Sequence, residues 1–211
     1  RDLHYPLRRQ RQMCIRDRLH VEPFDVPPNF EREFFMYKNL NNRSPIYVNR
    51  VQIEMRPGSH HFIGYLLDSS RPLFSLAKRL FVPNRIRDLH LPNGDDDPLV
   101  LASMNYHNFF AGTQTPRFDY EFPKGVALRL PANTGLDLNT HYVNRGEEAF
   151  EGEVYMNLHT IEKADVEHEA KIINFNSTDI ELPPNKITTL TRDFRATEKM
   201  NIFQLFSHSH E

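Results

Sequence analysis

The sequence predicts an all-β protein: an antiparallel, jelly-roll-like sandwich followed by the first strands of a second, similar domain. Three observations predict it. Short apolar-rich segments recur along the chain, and several alternate apolar with polar residues as half-buried strands do. Pro, Gly, Asn and Asp clusters separate them, with 15 Pro among 211 residues. Only one stretch reads as helical. Many short strands at close spacing fit a sandwich or jelly roll.

The elements follow in order. Residues 1–18 are Arg-rich and lack any hydrophobic period. Their end, Met13-Cys14-Ile15-Arg16-Asp17-Arg18, resembles a sequencing adaptor read as protein. They are expected to form a non-native or disordered lead, with the native sequence starting near Leu19 and both chain ends being fragment ends. Strands are expected at 33–38, 46–55, 60–67, 99–104, 118–122, 126–130, 136–144 and 152–161. Val126-Ala-Leu-Arg-Leu130 alternates well, as does the second half of 46–55. Pro57-Gly58, Pro92-Asn93-Gly94, Pro123-Lys124-Gly125 and Pro131 to Gly135 supply the turns. The helical candidate is Leu76-Ala77-Lys78-Arg79-Leu80. A composition break at Glu162 to Asp165 separates a first domain, 19–163, from the start of a second, 164–211. Strand-like pieces there span 170–176, 186–193 and 202–208.

Bulk composition narrows the function. Lys and Arg number 26 against 28 Asp and Glu, so no basic stripe points to nucleic acid. No apolar run approaches the ~20 residues a membrane-spanning helix needs. Cys14 is the only cysteine, which rules out an intrachain disulfide within this sequence. No P-loop, dinucleotide fingerprint or Gly-x-Ser-x-Gly elbow occurs.

Histidine is where chemistry enters. Neutral imidazole is the commonest protein ligand for copper, zinc and iron. His208 and His210 are two apart, so on a strand both rings share a face. His60 and His61 are adjacent and would point to opposite faces; only a strand end or a bulge brings both to one ion. His141 shares a polar strand face with Asp137 and Asn139, where a surface-facing side chain is the simpler reading. His159, His168, His107, His90 and His20 show no ligand spacing and read as structural or exposed.

Four segments together, Met55 to Phe62, Tyr120 to Val126, Leu138 to Asn144 and Phe206 to His210, resemble the copper type II, ascorbate-dependent monooxygenases. That family includes peptidylglycine alpha-hydroxylating and dopamine beta-monooxygenases. The resemblance spans residues 20–211 and implies two jelly-roll domains, each carrying one copper. It implies that His60, His61 and His141 hold the first, electron-transferring copper. His208 and His210, with a Met expected beyond Glu211, would hold the second, oxygen-activating one, which is incomplete here. It further implies ascorbate or a similar reductant, O2, a small-molecule or peptide substrate, and a periplasmic or extracellular location. The animal enzymes use disulfides that this chain cannot make, so a bacterial-type relative fits better. Tyr142 and Asn144 are expected to support the first site. Two rivals stand beside this reading: a cupin-like iron or zinc enzyme, and a non-catalytic sandwich that binds carbohydrate or protein.

Overall fold

The computed structural model describes residues 14–174 and 180–206, and the chain divides into two units at Ala170. The first unit holds eleven strands: β1 (Cys14–Val26), β2 (Phe30–Asn39), β3 (Ile46–Met55), β4 (Ser59–Leu67), β5 (Ile86–Asp88), β6 (His107–Thr113), β7 (Arg117–Glu121), β8 (Val126–Leu130), β9 (Gly135–Asn144), β10 (Phe150–Ile161) and β11 (His168–Ala170). Two short helices, α1 (Phe74–Ala77) and α2 (Pro98–Met104), lie between β4 and β6.

The strands build two sheets packed as a sandwich. One runs β1-β10-β3-β8-β11, with β7 also on β3; the other runs β5-β2-β9-β4-β6. The antiparallel partners nest: β1 with β10, β2 with β9, β3 with β8, β4 with β6. Outer with outer and inner with inner is the winding of a jelly roll, in which one long hairpin rolls so that its halves fall into facing sheets.

Period-two alternation fills the core. Val51, Ile53 and Met55 on β3, Leu136, Leu138 and Tyr142 on β9, and Val154, Met156 and Leu158 on β10 are all buried in one cluster with Phe34, Phe62 and Leu130. Each such side chain contributes about 1.5–3 kcal/mol on burial. Gly58, at φ +92° in the turn between β3 and β4, takes a left-handed conformation that only glycine adopts without strain. The ring of Phe150 packs where a Cβ would stand.

Three expectations change in the first unit. Residues 99–104 form α2 instead of a strand, because the Asp97 carboxylate accepts hydrogen bonds from the Leu99 and Val100 amides and Pro98 occupies the first turn. Residues 14–18 do not stand apart from the fold, since β1 begins at Cys14 and pairs along β10. The first unit runs past the expected boundary at 163, carrying a 3-10 turn at Lys163–Asp165 and then β11 against β8.

The second unit carries no helix or strand among its described residues. Of the strand-like pieces, residues 171–174, 186–193 and 202–206 are irregular, with Ile187 and Leu205 exposed, and residues 175–176 and 207–208 of the expected 170–176 and 202–208 lie outside the described residues. A strand persists only when its amides and carbonyls join a sheet ladder, and no strand is formed by these pieces among the described residues. No helix of the described residues is long and apolar enough to cross a membrane.

Candidate metal centre

Backbone register decides where the histidines go. Ser59 of β4 pairs with Tyr142 of β9, and His61 pairs with His141, so β4 spends two steps where β9 spends one. The extra residue is His60. This β-bulge cancels the alternation that would send His60 and His61 to opposite faces. Both rings come to the ring of His141, with centroids 4.8 Å from His141 to each and 5.3 Å between the adjacent pair.

The nitrogens converge as ligands do. His60 Nδ1 lies 3.1 Å from His61 Nδ1, which lies 3.4 Å from His141 Nδ1. One ligand nitrogen from each of the three sits within 4.8 Å of the others. Three nitrogens bound at about 2.0–2.1 Å to one ion at near-tetrahedral angles stand roughly 3.3 Å apart, which the His60–His61 and His61–His141 separations match. His61 and His141 are buried, at 2 % and 3 % exposure, and His60 is half-buried.

Outer partners fix the tautomers. His61 Nε2 donates to Asn139 Oδ1 at 2.6 Å, and His141 Nε2 donates to Glu31 Oε1 at 2.7 Å. An oxygen acceptor on Nε2 requires the proton there, which leaves the Nδ1 lone pairs of both rings aimed into the cluster. The Asn139 amide is set in turn by Glu33, whose Oε1 accepts from Nδ2 at 2.8 Å. Glu33 carboxylate oxygens also lie 3.8 Å from His61 Nε2 and from His141 Nδ1. The group can hold a metal ion.

β2 and β9 explain the assembly. Glu33 pairs with His141 and Phe35 with Asn139, so Glu31, Glu33 and the β9 residues Asp137, Asn139 and His141 share the outer face of their sheet. That face is buried despite its polarity: Asp137 is 0 % exposed and Asn139 2 %. Asp137 is held by Arg87 of β5 and, at 2.8 Å, by His107 of β6. Tyr65 stacks on His107 with centroids 4.5 Å apart. Burial first, then the charges of Glu33 and Asp137, pushes the Tyr65 hydroxyl up to about 12.

Other expected positions fall elsewhere. Tyr142 faces the sandwich core, its hydroxyl donating to the Glu153 carbonyl at 2.9 Å and its ring edge-on to Phe24. Asn144 donates to the Val26 and Glu148 carbonyls and so closes the loop after β9. Neither supports the triad, because Tyr142 lies on the opposite strand face from His141 and Asn144 is spent on the turn. His159 is buried, with Nε2 on Gln52 at 2.7 Å, far from the cluster in register. His208 and His210 lie outside the described residues. No protein-family model and no curated protein matches the chain.

Proposed function

We propose that this chain is the copper-carrying part of a bacterial-type, copper type II, ascorbate-dependent monooxygenase, with His60, His61 and His141 holding the electron-transferring ion. The observation that carries the reading is the convergence of three Nδ1 atoms across a bulge, on a jelly roll whose motifs occur in the order the resemblance requires. An all-imidazole set suits copper, which it holds in both oxidation states.

The protein's own residues have defined parts. His61 and His141 bind through Nδ1 because Asn139 and Glu31 hold their Nε2 protons. His60, delivered by the bulge, is the half-buried edge through which charge enters. The buried column of Asn139, Asp137, Arg87 and His107 keeps β9 from shifting relative to β2 and β4. Copper bound there supplies a one-electron couple, recharged by ascorbate or a similar reductant. In this reading His208 and His210 belong to the second, oxygen-activating site, O2 and a small-molecule or peptide substrate are the co-reactants, and the protein works in the periplasm or outside the cell.

One observation favours a second reading. Glu33 stands close to two of the ligand rings, and a histidine set with a nearby carboxylate also suits iron or zinc in a cupin-like enzyme. Anaerobic mixing of the Cu(II)-loaded chain with ascorbate separates the two. We expect the Cu(II) EPR signal to disappear within seconds. Copper that stays divalent under excess ascorbate contradicts electron transfer at this site.

A further inference from the structure

Glu31 and Glu33 project from the same face of β2 toward the histidine cluster, yet their settings differ. Glu31 is well exposed, with 57 % of its side chain open to solvent, and water screens its charge. Glu33 is largely enclosed, at 15 %. Its contacts are the Asn139 amide at 2.8 Å and the rings of His61 and His141 at 3.8 Å. No Lys or Arg pairs with it among the described residues. The nearest buried guanidinium, Arg87, is committed to Asp137 and Ser103.

An enclosed carboxylate with one neutral hydrogen bond is costly unless a cation lies near. A cation between the three Nδ1 atoms meets that need, since His141 Nδ1 is 3.8 Å from a Glu33 oxygen and a ligand bond adds roughly 2 Å. The attraction scales with ionic charge, so a divalent ion gains twice what a monovalent ion gains.

We propose that Glu33 sets the valence preference of the centre, holding it toward the divalent ion, with Asn139 keeping the carboxylate in place. This rests on the metal reading of the three histidines and extends it. Glu33 is a specificity-determining residue that ligates nothing itself. Its consequence for copper is a lowered reduction potential, which makes the reduced ion the readier electron donor.

The test uses the full chain as wild type, Glu33→Gln, Glu33→Asp and Glu31→Gln. Cu(II) and Zn(II) affinities are measured by competition with chelators, and Cu(I) affinity anaerobically with a Cu(I)-specific chelator. Taking about one decade of affinity per unit of ionic charge, the Coulomb interaction at roughly 6 Å with an effective dielectric of about 40, Glu33→Gln loses about a hundredfold for Cu(II) and Zn(II). It loses about tenfold for Cu(I), and the tenfold change in their ratio raises the one-electron potential by about 59 mV. Glu33→Asp keeps the charge and keeps the wild-type ratio within about threefold, and the screened Glu31→Gln moves it less than Glu33→Gln does. Equal losses for Cu(II) and Cu(I), or a ratio that Glu33→Asp shifts as far as Glu33→Gln, would overturn the inference while leaving the metal centre intact. A wild-type chain that binds neither Cu(II) nor Zn(II) would overturn both.

Discussion

Replacing Asp137 by Asn removes one charge from an ion cluster enclosed on every member. Asp137 is 0 % exposed, its Oδ1 taken by Arg87 Nη2 and its Oδ2 by His107 Nε2. Arg87 is itself buried, its guanidinium 5.1 Å from the Phe81 ring centroid and 5.8 Å from that of Phe35, with Nη1 on Ser103 Oγ at 3.0 Å. Asn keeps the shape and one acceptor but leaves the guanidinium without its counter-charge. Breaking a buried pair from one side costs about 3–5 kcal/mol, a large share of the 5–15 kcal/mol that typically holds a domain folded. For a chain of this size that lowers the Tm by roughly 6–20 °C. Urea unfolding followed by tyrosine fluorescence reads it, since the chain has 8 Tyr and no Trp. The midpoint should fall with little change in slope. Adding Arg87→Met should recover part of the loss, because an apolar replacement removes the stranded charge. An Asp137→Asn protein within about 1 kcal/mol of wild type would refute the assignment of a closed, ion-paired layer beside the candidate metal centre.

Two further outcomes follow from single contacts. Asp97→Ala removes the cap of α2 and should cost about 1 kcal/mol, seen as a small drop in urea midpoint; an unchanged midpoint contradicts the cap. Burial first, and then the charge of Arg50, holds the His159 imidazole below its ordinary value, and its Nδ1 has no hydrogen-bond partner among the described residues. Below about pH 6.5 the unfolded chain takes up a proton there that the folded chain refuses, so stability falls as pH drops from that point toward the folded value. His159→Gln should lose less stability than wild type between pH 7.5 and 5.5, and parallel losses would contradict this.

Much of the sandwich was legible because strand alternation and turn residues are local. Val51, Ile53 and Met55 announce an inward face, and Pro57-Gly58 marks where the chain reverses. The bulge was visible only as a condition: adjacent histidines on a strand need one to meet at a single ion, and the turn just before them made it plausible. Register then supplied it, through the pairing of His61 with His141. Glu31 and Glu33 were not legible as site residues. What brings them to His141 is the pairing of β2 with β9 across more than a hundred residues of sequence, for which no local pattern exists. Asp137, Asn139 and His141 looked like a solvent face because polar alternation says nothing of what folds over it. Arg87 and His107, which close over Asp137, come from separate segments, and no local pattern in either marks the pairing. Residues 99–104 misled for the opposite reason, their apolar run outweighing an Asp97-Pro98 start signal that was present.

Metal stoichiometry tests the central claim most directly. Cu(II) is added to the full chain as wild type, His60→Ala, His61→Ala and His141→Ala, and bound metal is counted after gel filtration alongside EPR. The account predicts one tightly held Cu(II) with nitrogen hyperfine structure in the wild type. Each single replacement should weaken or abolish it, His61→Ala and His141→Ala most, in proteins that remain folded. A wild-type chain that retains no copper, or copper binding indifferent to all three replacements, would contradict it.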